Sequence, residues 1–192
     1  CALPICGSPC PAPEVILGAL TQITEQISLG FGVTLLPFGF THPARVAEKV
    51  ATVDILSKGR VQWGTGRSTP MEQTAFHVDR EHSRDQWREA IEVICAMWRE
   101  ERFSWDSPTF QFPERVVTPK PYQDPHPPCW KAATSEGSSQ VAGENGLGLL
   151  SVSVMQARAQ MGRQSQADRE GQTPGETRQG GTTNQAAGQN PV

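Results

Sequence analysis

Ile27-Ser-Leu-Gly-Phe-Gly-Val-Thr-Leu-Leu36, His42-Pro-Ala-Arg-Val-Ala-Glu-Lys-Val50 and Arg60-Val-Gln-Trp-Gly-Thr-Gly66 decide the fold between them. The first alternates and carries β-branched types, as a strand does, while Gly30 and Gly32 interrupt a face that otherwise reads as buried and suggest close approach by another group. In the second, Pro43 opens a helix with Val46, Ala47, Val50 and Val53 on one side, and Gly59 stops it. The third is a strand again. Strand, helix and strand in succession form the unit of a parallel sheet.

Outward from this unit the alternation continues. Pro13 suits a helix start, and Ile16, Leu17, Leu20 and Ile23 recur at helical spacing over 14–25. Residues 67–80 show no clear period, whereas 83–101 place Trp87, Ile91, Ile94 and Trp98 on one helix face. Phe103/Trp105 and Phe110/Phe112 flank the turn composition Asp106-Ser-Pro-Thr109, which predicts a small hairpin. A Pro-rich loop over 119–128 leads to a strand at 129–133, a short helix ended by Asn145-Gly146 and a last strand over 148–154. The expected fold class is α/β with four parallel strands, and this pattern alone leaves an open sheet and a barrel as alternatives.

Charge and composition narrow the function. Lys and Arg number 17 against 20 Asp and Glu, a net charge of −3, which excludes the electrostatic footprint of a nucleic-acid or anionic-membrane binder. No apolar run approaches the roughly 20 residues of a bilayer span, so a soluble, cytoplasmic chain is expected. Five cysteines are an odd number, and Cys95 and Cys129 lie in apolar stretches, which favours reduced thiols. The spacing of Cys1, Cys6 and Cys10 matches no common zinc pairing, and no metal is expected. Residues 156–192 contain eight Gln and no aromatic residue, so they are expected to form a disordered tail behind a domain at 11–155 and an irregular segment at 1–10.

Two strand ends carry the small and polar residues from which a ligand site is built. Gly64-Thr-Gly-Arg67-Ser-Thr69 joins glycines to a guanidinium that pairs bidentately with phosphate. Ala133-Thr-Ser135-Glu-Gly-Ser138 places hydroxyls and free N–H groups at a helix start, where an anion is favoured. Ligands of parallel α/β folds sit at such carboxyl ends. The competing reading makes Arg67 a surface ion-pair partner and Thr134, Ser135 or Ser138 a helix cap. Neither a dinucleotide nor a nucleoside-triphosphate fingerprint follows any strand. His42, His77, His82 and His126 read as exposed or capping, and Arg45, Glu48 and Asp54 as a solvated helix face.

Several separated motifs together resemble the bacterial-luciferase-like flavin-dependent monooxygenases. They are Leu29-Gly-Phe-Gly-Val-Thr-Leu-Leu-Pro37, His42-Pro-Ala-Arg-Val-Ala-Glu48, Leu56-Ser-Lys-Gly-Arg-Val61, Gly64-Thr-Gly-Arg67, Pro119-Lys-Pro121, His126-Pro-Pro128 and Trp130-Lys-Ala-Ala-Thr-Ser135. The resemblance covers about residues 11–154 and implies a partial (β/α)8 TIM barrel comprising the third to sixth strands, with an inserted hairpin. It implies FMN, or the deazaflavin F420 in one branch, at the carboxyl end, where reduced flavin and O2 oxygenate a small organic substrate. Phosphate contacts would fall on Arg67, Thr134, Ser135 and Ser138. A strand bulge, often with a non-prolyl cis peptide behind the flavin ring, would fall at Phe31-Gly32, and Gly66 would sit near the reactive edge. The resemblance further implies a flavin reductase as partner and a homodimer. The family's histidine-bearing strand is absent, so no catalytic base is assigned and a fragment with impaired or no turnover is expected. The alternative from another class is a non-catalytic remnant that binds flavin or phosphate weakly or self-associates.

Overall fold

The computed structural model describes residues 12–133, 136–151 and 158–171. Helix α1 (Pro13–Ile23) precedes strand β1 (Leu29–Leu35), helix α2 (Pro43–Ser57) and strand β2 (Val61–Gly66). Helices α3 (Pro70–Ala75) and α4 (Ser83–Arg99) follow, then the strands β3 (Phe103–Asp106) and β4 (Gln111–Arg115). Strand β5 (Cys129–Ala133), helix α5 (Glu136–Glu144), strand β6 (Gly148–Ser151) and helix α6 (Arg158–Gly171) complete the described chain.

The main sheet has the order β1-β2-β5-β6, every neighbouring pair parallel. Each new strand is added on the same side of the last. A doubly wound sheet reverses direction at a switch point, whereas this one-directional order is the one that an arc of barrel wall takes. β3 and β4 pair antiparallel as the expected hairpin.

Local chemistry explains the element ends. The ring of His42 accepts a hydrogen bond from the Ala44 N–H at 3.2 Å and caps α2, with Pro43 in its first turn. Lys58 (φ 57°) and Gly59 (φ 81°) end it in the left-handed region. α3 lies in the stretch with no clear period and is fixed instead by a capping box between Thr69 and Glu72. On α4 the residues Trp87, Ala90, Val93, Ile94, Met97 and Trp98 are buried. Trp98 packs edge-on to Trp63 of β2, centroids 4.9 Å apart, and its indole N–H donates to the Ala47 carbonyl of α2 at 3.1 Å. One core thus joins sheet and helices.

Three expectations need correction. Asp54 is fully buried instead of solvated: its carboxylate accepts from the backbone and side-chain N–H groups of Gln123 at 2.9 and 2.7 Å, tying the Pro-rich loop to α2. Residues 158–171, expected in a disordered tail, form α6. A Cβ added at Gly143 would lie 2.2 Å from the Asp168 carbonyl oxygen, and one at Gly171 2.4 Å from that of Gln140, so α5 and α6 meet backbone to backbone at these glycines. The non-prolyl cis peptide is Gly32-Val33, one bond beyond the expected place, inside the register shift between Phe31 and Thr34. Cys1, Cys6 and Cys10 lie outside the described residues. No helix among the described residues is long and apolar enough to cross a membrane.

Candidate functional site

Arg67 follows the last residue of β2, and its position is set from below. The Arg67 carbonyl accepts from the buried Gln73 amide of α3 at 3.1 Å, which fixes the turn between β2 and α3. Beside it, Lys131 occupies a buried position on β5, directly across from Thr65. The Lys131 ammonium lies 4.1 Å from the ring centre of Trp87 on α4. Trp87 is held in turn by its indole N–H, which donates to the Thr65 hydroxyl at 3.2 Å, and that hydroxyl donates to the Trp130 carbonyl at 2.9 Å. Sheet and helix therefore hold the ammonium in place.

Arg84, in the first turn of α4, and Ser138, near the start of α5, join Arg67 and Lys131 around one cleft of about 140 Å³ at the carboxyl end of the sheet. Among the described residues none of the ion pairs involves Arg67, Arg84 or Lys131. Burial, then the guanidinium groups of Arg84 and Arg80, holds the Arg67 guanidinium below the usual arginine range. Burial, then the cations of Arg67, Arg84 and Arg88, brings the Lys131 ammonium down to about 8. Cations that depress one another without a carboxylate between them form a site that an anion stabilises.

Of the residues expected at the site, the fold brings Arg67 and Ser138 to this cleft. Thr134 and Ser135 lie outside the described residues. Gly66 ends β2 opposite Leu35, and a Cβ there would stand 2.7 Å from the Val33 side chain, so the bulge of β1 packs over it. Phe31 is buried and borders a separate cavity of about 170 Å³, between β1 and the helices α1 and α2, with Val33, Leu35, Phe40 and Phe76. Gly32 is exposed, and a Cβ at Gly30 or Gly32 would meet nothing within 4 Å. Close approach occurs instead at Gly64, where a Cβ would fall 2.1 Å from the Phe31 carbonyl oxygen.

Lys131, Arg84 and Trp87 were not expected as site residues. A signal existed for two of them: a lysine inside the apolar strand Cys129-Trp-Lys-Ala-Ala133 is costly to bury, and an arginine in a helix's first turn opposes the macrodipole.

The family model described as luciferase-like monooxygenase matches residues 4–186. The oxygenase component of the flavin-dependent trigonelline monooxygenase of Acinetobacter baylyi is 32% identical over 139 residues, covering 71% of this chain and 38% of that protein. An F420-dependent glucose-6-phosphate dehydrogenase of Beutenbergia cavernae is 31% identical over 150 residues, 77% of this chain and 44% of that protein. The crystal structure of the monooxygenase RslO1 from Streptomyces bottropensis superposes with a TM-score of 0.76 at 31% identity, over 84% of this chain and 49% of that one. The chain thus spans less than half the length of each of these proteins.

Proposed function

Because the chain belongs to the luciferase-like monooxygenases, we propose that its cationic cleft holds the phosphate of FMN and that it serves flavin-dependent oxygenation of a small organic substrate. The observation that carries this reading is the convergence of Arg67, Arg84 and Lys131 with Ser138 at the carboxyl end of a parallel sheet, with no ion pair to any of the three cations among the described residues. A phosphate ester fits that donor set. The bulged stretch Phe31–Thr34 and the open space over Gly30 and Gly32 suit the flat ring of the cofactor, with Gly66 beneath the bulge. Bound reduced flavin would supply the electrons that activate O2. The chain's own residues fix the phosphate. The oxygenase-component relative supports a separate flavin reductase as the source of reduced cofactor. F420 is the second reading, favoured by the F420-dependent relative.

Titration of the purified chain with FMN, read by flavin fluorescence with size exclusion as the check on folding, tests the proposal. Saturable binding is expected, weakened about tenfold or more in Arg67→Ala, or roughly 1.4 kcal/mol. Absence of binding by a folded chain, or equal affinity in the variant, overturns it. The same titration with F420 decides between the cofactors. An oxygenation assay with reduced FMN then separates an oxygenase from a flavin-binding half-barrel without turnover.

A further inference from the structure

At the opposite end of β5 from the cationic cleft, three side chains that the sequence reading treated separately meet. They are Cys95 of α4, His126 in the last turn of the Pro-rich loop and Cys129, the first residue of β5. Their ligand atoms lie within 4.8 Å of one another, and the His126 Nδ1 is 3.7 Å from the Cys129 sulfur. Four ligands about 2.0–2.3 Å from a zinc-sized ion at tetrahedral angles stand roughly 3.5–3.8 Å apart, so little movement would be required.

We propose that Cys95, His126 and Cys129 bind a thiophilic divalent cation of the Zn2+ class, with water in the fourth position. Two thiols packed as small hydrophobes would account for the sulfurs alone, and a disulfide would leave the histidine unexplained. The imidazole instead lies beside both sulfurs, its Nδ1 3.0 Å from the Pro127 carbonyl oxygen that binding would displace, and it is backed by the Trp98 ring at 5.9 Å, whose own indole is tied to α2. The loop is fixed as well: the Pro128 carbonyl accepts from the Trp63 N–H at 2.9 Å, so His126 and Cys129 are presented from the sheet while Cys95 is presented from α4. Binding releases the two thiol protons, and the two thiolates balance the charge of the cation. β5 rises about 3.3 Å per residue, which puts Cys129 roughly 7 Å along the strand from Lys131 of the cleft. The ion therefore clamps the Pro-rich loop to α4.

The test uses the full chain, stripped with chelator and titrated with Co2+ as an optical probe. One equivalent is expected to give thiolate-to-cobalt charge transfer and tetrahedral visible bands, which Zn2+ then displaces. The bands should persist in Cys1→Ser/Cys6→Ser/Cys10→Ser and disappear in Cys129→Ser. On the unmutated chain, Zn2+ should slow iodoacetamide labelling of Cys129, read by peptide mass spectrometry. The proposal falls if Zn2+ leaves that labelling rate unchanged, if the bands vanish in the triple variant, or if they survive in Cys129→Ser. The labelling arm needs no variant, so a misfolded Cys129→Ser leaves the answer intact.

Discussion

Lys131 carries a buried charge that costs stability and that the proposed phosphate site would use. An ordinary lysine gives up its proton at 10.5 and this one near 8, so between those values the unfolded chain holds more protons and stability rises with pH. Below pH 8 the buried charge is a cost. Lys131→Met is therefore expected to raise the thermal midpoint at pH 7, by about 2–4 °C for each kcal/mol relieved in a chain of this size. The advantage should shrink towards pH 10, which a pH series of melting curves measures. Binding runs the other way. FMN affinity should fall as pH rises from 7.5 to 9.5 and Lys131 loses its charge, and the same substitution should lower affinity and flatten that profile. A profile in Lys131→Met that still falls as steeply would remove Lys131 from the phosphate site.

Among the elements, α6 departs furthest from the expectation of sequence. Composition measures how much apolar side chain a segment brings, and residues 156–192 bring little. It does not measure how closely two backbones approach. Gly143 and Gly171 allow α5 and α6 to touch where any side chain would collide with a carbonyl, and Ala142 and Asp168 are buried nearby. Gly143→Leu should therefore separate α6 from α5, at about 1–3 kcal/mol for an overpacked contact. The expected result is a new tryptic cut at Arg169 while the far-ultraviolet spectrum of the rest persists. A protease pattern identical to that of the parent chain would place the stability of α6 elsewhere. α3 was missed for a related reason, since six residues are too few to show a period and are held by a cap instead.

Taken as a whole, the described sheet has β1 at one edge and β6 at the other. Gly30 on β1 is exposed with open space around it, and apolar side chains line the adjoining cavity. An unpaired parallel edge beside an apolar surface favours association, and a dimer formed there is our expectation for the chain in solution. Gly30→Lys adds a charge to that edge without a clash. It should shift sedimentation velocity towards monomer, and an unchanged distribution would move the contact to another surface.

The alternation of β-branched and helical stretches, read residue by residue, placed the elements of the main sheet and the hairpin to within a few residues, because side-chain period is a local property. Arg67 and Ser138 were legible as candidates for the same local reason: one follows the last residue of a strand and the other lies in the first turn of a helix. Sheet order was not local. Whether β5 adds beside β2 depends on contacts between residues more than 60 positions apart, such as Thr65 with Lys131, and only packing settles them. Separation in sequence likewise hid the convergence of Arg67 with Arg84 and Lys131, the burial of Asp54 under the Pro-rich loop, and the meeting of Cys95 with His126 and Cys129. Sequence determined which segments are strands and helices; the tertiary structure decided which charges and sulfurs share a site, because that is fixed by where the elements pack.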